Sequence, residues 1–267
     1  MTTETYEILA LKYGCQTNRT RYYNFMADDD HASPGPIDYF VWVIRNETRT
    51  IVVDTGFDHK EAANRGREIE LLPREILKRI DVDADSIDTL VVSHLHFDHA
   101  GTLGDFPNAK FHLQEAEMAY ATGKCMCDAA LQAPFTADHV CDMVKNVYSG
   151  RVHFHDGDGE IAPGITVHHA PGHSKGLQCV RVMTQHGPVV VAADAAHFYE
   201  NYEMRKPFFI TVDVEAPLRT YDRLTELADG KMEKVIPGHD PLVLKRYPAL
   251  SAETEGVVHR LDVPRIG

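Results

Sequence analysis

The side chains that could do chemistry crowd into one short stretch, His94-Leu95-His96-Phe97-Asp98-His99. Three imidazoles and a carboxylate at this spacing suit a turn just past a strand end, where close-set side chains converge on a small volume. The apolar run Leu90 to Val92 supplies that strand. Imidazole and carboxylate together suit zinc, iron or manganese. A His-rich surface loop would have the same composition, but later segments supply further ligands of the same kind. Three apolar strands end in turns that each carry one: His173 after Pro171-Gly172, Asp194 after Val190-Val191-Ala192-Ala193, and His239 after Pro237-Gly238. The glycines let the backbone come close to a shared site. Together the segments offer five histidines and two aspartates, a count that suits two metals with open positions for water. Asp54 ends another strand-like run. It is placed to accept the spare N–H of a liganding histidine and fix its tautomer, or else to cap a turn.

The elements that must carry these residues are strands with interspersed helices. Residues 6–13 alternate loosely and read as an edge strand, followed by a long loop over residues 14–37 with apolar knobs at Tyr22, Tyr23 and Phe25. Tyr39 to Arg45 and Thr50 to Val53 make a hairpin around Asn46-Glu47-Thr48. A helix over residues 69–80 precedes the strand into the His cluster, and Lys110 to Leu113 is a further strand before a helix bearing Ala116, Met118 and Ala119. Residues 123–150 read as a helical insertion over the body of the fold. Short strands follow at His153 to Asp156, Thr166 to Ala170, Gln178 to Thr184, Pro188 to Ala193 and Lys234 to Ile236, with a helix over residues 215–229. This order fits an α/β chain of two sheets with helices outside, as a single domain over residues 1–267.

Composition narrows the function. The 267 residues are 43% hydrophobic and 25% charged, as in ordinary globular proteins. The formal net charge is −13 and no basic patch is visible, which disfavours nucleic acid as a partner. No apolar run reaches the length of a membrane span. Met1 to Thr5 lacks the basic and apolar regions of a signal peptide, so the expected location is cytoplasmic. Five cysteines, an odd number, are expected as free thiols in that setting. Cys125, Cys127, His139 and Cys141 could make a separate zinc site, but their spacing matches no common structural-zinc pattern. His31, His59, His112, His153, His155, His186 and His259 lack matching partners, and His168 and His169 sit in a strand; all read as surface or packing residues.

The ordered set His94, His96, Asp98, His99, His173, Asp194 and His239 resembles the metallo-β-lactamase superfamily over nearly the whole chain, from Asp54 to His239. The resemblance implies an αββα sandwich, two mixed sheets with helices outside, and a site at one edge where the loops of both halves meet. It implies His94, His96 and His173 on a first metal, Asp98, His99 and His239 on a second, and Asp194 bridging them. His96 is not replaced by the Glu of the flavodiiron oxidoreductases, which disfavours redox chemistry.

Within the superfamily the chain is most similar to the N-acyl homoserine lactonases. The likeness lies in Gly14-Cys15 with its polar loop, Pro36-Ile37-Asp38-Tyr39, Asp54-Thr55-Gly56 and Pro237-Gly238-His239-Asp240. Those lactonases usually carry a tyrosine three residues after the bridging aspartate; here that position is His197, followed by Phe198 and Tyr199. The expectation is a hydrolase that opens a lactone ring by attack of a hydroxide held between two divalent metals. Zinc is the default, with iron, manganese or cobalt accepted by the same donors. Asp98 or Asp194 would pass a proton to the leaving oxygen, and His197 or Tyr199 would steady the oxyanion. Phe25, Met26, Met118 and Met126 are candidates for an apolar pocket wall. The partner is a small lactone or ester, and a homodimer is expected from the resemblance. The alternative is another lactone, ester, amide or thioester at the same site, as in glyoxalase-II-like enzymes. The short tail over residues 244–267 disfavours that last group.

Overall fold

Strands that end in site-bearing turns organise the chain into two sheets. The computed structural model describes residues 4–27 and 30–266, so Met1 to Thr3 and part of the expected 14–37 loop lie outside it. The first sheet holds β1 (Glu7–Gln16), β2 (Ile37–Arg45), β3 (Thr50–Val53), β4 (Glu68–Ile69), β5 (Thr89–Val91), β6 (Lys110–Gln114) and β7 (Val152–His155). The second holds β8 (Gly159–Ala162), β9 (Ile165–His169), β10 (Gln178–Thr184), β11 (Gly187–Ala193) and β12 (Val235–Pro237). A last strand, β13 (Val258–Arg260), returns to the first sheet beside β1. The first sheet runs β13-β1-β2-β3-β5-β6-β7, with β4 on β1; the second runs β12-β11-β10-β9-β8. Both are mixed: β3, β5, β6 and β7 are mutually parallel, as are β11 and β12, while the remaining pairs are antiparallel.

Period-two alternation makes β1, β2 and β3 apolar on both faces, and the fold uses both. Leu9, Leu11, Val41, Val43 and Val52 join a core under the helices His59–Arg65, Pro73–Arg79, Glu115–Ala121 and Ala137–Tyr148. Ile8, Ala10, Trp42, Ile44, Ile51 and Val53 face the second sheet. The second sheet buries Val189, Val190 and Val191, with Tyr221 and Leu224 of the helix Ala216–Leu227 in the same core. Each of the buried valines, leucines and isoleucines contributes about 1.5–3 kcal/mol on burial. The result is the αββα sandwich.

Some local expectations are corrected. Residues 6–13 are not an edge strand: β1 lies between β2 and β13, because the chain end folds back to cover it. The helix expected over residues 69–80 starts only at Pro73, at the position where proline's missing N–H costs nothing, and Glu68–Ile69 pairs with β1 instead. In residues 14–37, Phe25 is buried while Tyr22 and Tyr23 are exposed.

Candidate metal centre

Five strands that run the same way deliver the seven expected ligands and Asp54 to one edge. β3 ends at Asp54, β5 leads to His94–His99, β9 to His173, β11 to Asp194 and β12 to His239. Sites at the carboxyl ends of strands are the general rule in such sheets. Gly238 is required here: a Cβ on it would lie 2.6 Å from the Ala193 carbonyl oxygen and 2.8 Å from Asp194 Oδ1. Ala193 and Asp54 both adopt left-handed backbone, with φ of 45° and 63°. Such conformations cost about 1–3 kcal/mol and persist where surrounding contacts hold them, often at functional sites.

All seven expected ligands converge, and all are buried. His94, His96, His173 and Asp194 form one group with donor atoms within 4.8 Å of one another, and Asp98, His99 and His239 form a second. Asp194 faces both groups. Its Oδ2 lies 3.1 Å from His173 Nε2 and 3.7 Å from His94 Nε2; its Oδ1 lies 2.9 Å from His239 Nε2 and 3.2 Å from His99 Nε2.

The far sides of the rings are tied down. His99 Nδ1 donates to Asp54 Oδ2 at 2.7 Å, and Asp54 also accepts the Ser93 N–H and hydroxyl. His173 Nδ1 donates to the Ile210 carbonyl and His239 Nδ1 to the Asp38 carbonyl, each at 2.8 Å. Ser93 Oγ lies 3.0 Å from His94 Nδ1. These contacts set the tautomers and leave Nε2 lone pairs aimed inward. The tie from Asp54 to a site histidine is the one read from the sequence. Asp54→Asn, which tolerates the same backbone, is therefore expected to keep the fold and lower metal affinity about 10–100-fold. Chelator competition checks this, and unchanged affinity would remove Asp54 from the site's support.

The donor set fits a pair of cations. His94 Nε2, His99 Nε2 and Asp194 Oδ1 are buried without a hydrogen-bond partner, although His99 Nε2 and Asp194 Oδ1 lie within 3.2 Å. Buried polar atoms are rarely left so. His173 Nε2 also faces His96 Nδ1 at 2.8 Å, close enough for one cation to take both nitrogens. Burial, followed by the neighbouring imidazoles, pushes His94 and His96 well below the usual histidine range, so both are neutral ligands. Burial opposes charge on His99 and His239 too, but Asp194 and the other carboxylates outweigh it and hold both above their usual range. The carboxylates thus call for positive charge between them.

Glu117 supports the site from outside the ligand pattern. Its fully buried carboxylate accepts the Leu95 N–H at 3.0 Å, the Gly176 N–H at 2.9 Å and the Ser174 hydroxyl at 2.6 Å. It thereby fastens the His94–His96 turn to the His173 turn. Burial raises its pKa, and the three donors act against that rise. A single glutamate in an unremarkable helix carried no local signal, although Gly176 is a partial one: any Cβ there would lie 2.0 Å from the Glu117 nitrogen.

His197 is at the site. Its Nε2 lies 3.0 Å from Asp194 Oδ2, its ring stacks on Phe208 at 3.4 Å, and its Nδ1 is buried and unpartnered. Tyr199 is not at the site. Its backbone N–H donates to Asp240, and its ring lies in the second core between Arg246 and Arg265, whose guanidinium carbons are 3.8 and 4.9 Å from its centroid. A one-residue step into the helix Tyr199–Glu203 turns its side chain away.

A cavity of about 60 Å³ lies over the cluster, walled by Arg19, Ile37, Tyr39, Arg67, Phe97, Pro134 and Phe208 with the ligands. It adjoins an apolar groove of about 230 Å³ lined by Tyr120, Ala130, Leu131, Pro134, Phe209, Ile210 and Val212, with His96 and His173 at its inner end. Phe25, Met26, Met118 and Met126 line neither: Phe25 packs on Phe198 in the first core, and Met118 and Met126 pack against that core. The five cysteines are free, and Cys125, Cys127, Cys141 and His139 form no metal-capable group among the described residues.

An αββα sandwich with this donor set at its edge defines a metal-dependent hydrolase scaffold. Residues 34–239 match the family model of the metallo-β-lactamase superfamily. An N-acyl homoserine lactonase of a Bacillus species is 31% identical over 237 residues, covering 79% of this chain and 88% of its own. The N-acyl homoserine lactonase AiiA of Bacillus thuringiensis subsp. kurstaki is 31% identical over 219 residues, covering 75% and 81%. The crystal structure of a quorum-quenching N-acyl homoserine lactone lactonase superposes with a TM-score of 0.72 at 25% identity, covering 96% of each chain. The chain belongs to the metallo-β-lactamase superfamily and, within it, to the N-acyl homoserine lactonase family.

Proposed function

We propose that the protein hydrolyses the lactone ring of N-acyl homoserine lactones with two divalent metal ions, zinc by default. The observation that carries this reading is the convergence of seven buried ligands beneath a cavity that continues into an apolar groove. His94, His96 and His173 would hold one ion, Asp98, His99 and His239 the other, and Asp194 both. Bound there, the pair would supply Lewis-acid polarisation of the carbonyl and water of lowered pKa.

The chain's own residues do the rest. Water adds to the lactone carbonyl carbon, the ring C–O bond breaks, and the leaving oxygen takes a proton. Asp98 is the better proton carrier than Asp194, because its side chain is 11% exposed against 3%. His197 donates a hydrogen bond to a substrate oxygen in place of the family's tyrosine. Arg19 and Arg67 supply positive charge for the carboxylate that ring opening creates. The groove between Leu131 and Phe209 takes the acyl chain. The unit is a single domain, and cytoplasmic location and a homodimer belong to the same reading. Among the described residues no helix is long and apolar enough to cross a membrane.

Acid release from acyl homoserine lactones, a plain γ-lactone, an aryl ester and a thioester tests this. Strong turnover of the first, lost in His96→Ala, is expected. Turnover of the others alone would overturn the substrate assignment. His197→Phe should lower kcat about tenfold, the worth of one hydrogen bond of about 1.4 kcal/mol, and His197→Tyr should restore it. Leu131→Trp, which narrows the groove, should raise KM for decanoyl chains about tenfold while leaving butanoyl substrates near wild type. Equal loss for both lengths would place the acyl chain elsewhere.

A further inference from the structure

His112, His153 and His155, which lack partners in sequence, meet on the last two strands of the first sheet. His112 pairs with His153 across the parallel β6–β7 register, and His155 follows His153 by two positions, so all three side chains share one face. Phe111 and Leu113 turn the other way, into the helix-covered core. One nitrogen from each ring lies within 4.8 Å of the others, and ring centroids are 4.8 to 5.2 Å apart. His112 Nδ1 and His155 Nε2 are 3.0 Å apart.

From this cluster we propose a second metal site, separate from the seven-ligand centre, in which His112, His153 and His155 bind one borderline divalent cation such as Zn²⁺, Ni²⁺ or Cu²⁺. Three imidazoles without a carboxylate select this class over Mg²⁺ or Ca²⁺. Two nitrogens on a tetrahedral zinc with bonds of about 2.0–2.1 Å stand about 3.3 Å apart, so His112 and His155 are already near ligand spacing. His153 is exposed and can turn toward them, and water completes the coordination. The geometry also selects the nitrogen on His155. Gly159 on β8 lies against its Nδ1, where even a Cβ would come within 2.3 Å, and this leaves Nε2 for the shared point. Burial, the other two imidazoles and Lys110 push His112 down to about 4, so it is neutral and able to ligate at pH 7. A hydrogen-bonded pair of imidazoles would account for His112 and His155 alone and leaves His153 without a role.

The site stands or falls independently of the lactonase reading. The metal-depleted protein is titrated with Zn²⁺, and bound equivalents are counted for wild type and His153→Ala. The exposed position spares the fold, and His153 takes no part in the lactone chemistry. The variant is expected to bind one equivalent fewer with lactone turnover unchanged. Cu²⁺ added to protein carrying only two equivalents of zinc should show nitrogen hyperfine splitting in its electron paramagnetic resonance spectrum that His153→Ala and His112→Ala both lose. Equal equivalents in wild type and His153→Ala, with Zn²⁺ affinity within threefold, would overturn the proposal.

Discussion

Asp194→Ala is expected to abolish turnover by at least about 10³-fold, because its carboxylate reaches both groups of imidazoles. Its two oxygens sit between His173 on one side and His239 on the other. Burial opposes its charge, but His197, His239 and His99 outweigh that and hold its carboxyl well below the usual carboxylate range. Without it the first group of imidazoles has no carboxylate among its donors, and the second keeps only Asp98. Metal bound at the seven-ligand centre, counted after gel filtration in a His153→Ala background, should fall from two equivalents toward one or none. Loss of activity with two equivalents still bound would mean that Asp194 acts on the substrate rather than on the metals. Exhaustive chelation of the wild-type protein should reproduce the loss, and added zinc should reverse it; neither treatment should rescue Asp194→Ala.

The second large effect is expected at Glu117, which no ligand pattern would single out. Glu117→Ala strips the partner from two backbone N–H groups and a hydroxyl, all buried. Each unsatisfied donor costs about 1–3 kcal/mol, so a loss of about 3 kcal/mol or more is expected. At about 2–4 °C per kcal/mol this lowers Tm by about 6–12 °C. The same change unfastens the His94–His96 turn from the His173 turn, so metal affinity should fall about 10–100-fold. Glu117→Gln, which keeps one acceptor oxygen, should retain most of the stability. A Tm shift in Glu117→Ala without weaker metal binding would reduce Glu117 to a packing role.

The ligands were legible because metal chemistry leaves a dense local mark: His94, His96, Asp98 and His99 are neighbours in the chain, and His173, Asp194 and His239 each follow an apolar strand and a small-residue turn. The strands were legible by alternation, and their order made two sheets with outer helices the natural arrangement. What escaped depends on contacts between distant segments. Glu117 meets partners at positions 95, 174 and 176, and no local pattern relates them. β13 finds β1 across most of the chain, so β1 could not be recognised as an interior strand. Tyr199 and His197 looked interchangeable in sequence, yet two positions of chain turn separate a ring at the metal cavity from a ring in the opposite core. The groove wall at Leu131, Phe209 and Ile210 likewise joins a short helix, Ala129–Gln132, and a loop that are far apart in the chain. His112, His153 and His155 became a cluster only through the parallel register of two strands. The sequence by itself determined the donor types, their turns and the class of fold, because these follow from residue chemistry and local periodicity. Tertiary structure alone decided which carboxylate clamps the site, which side chains shape the cavity and which histidines meet, because these are set by the packing of segments that share no local signal.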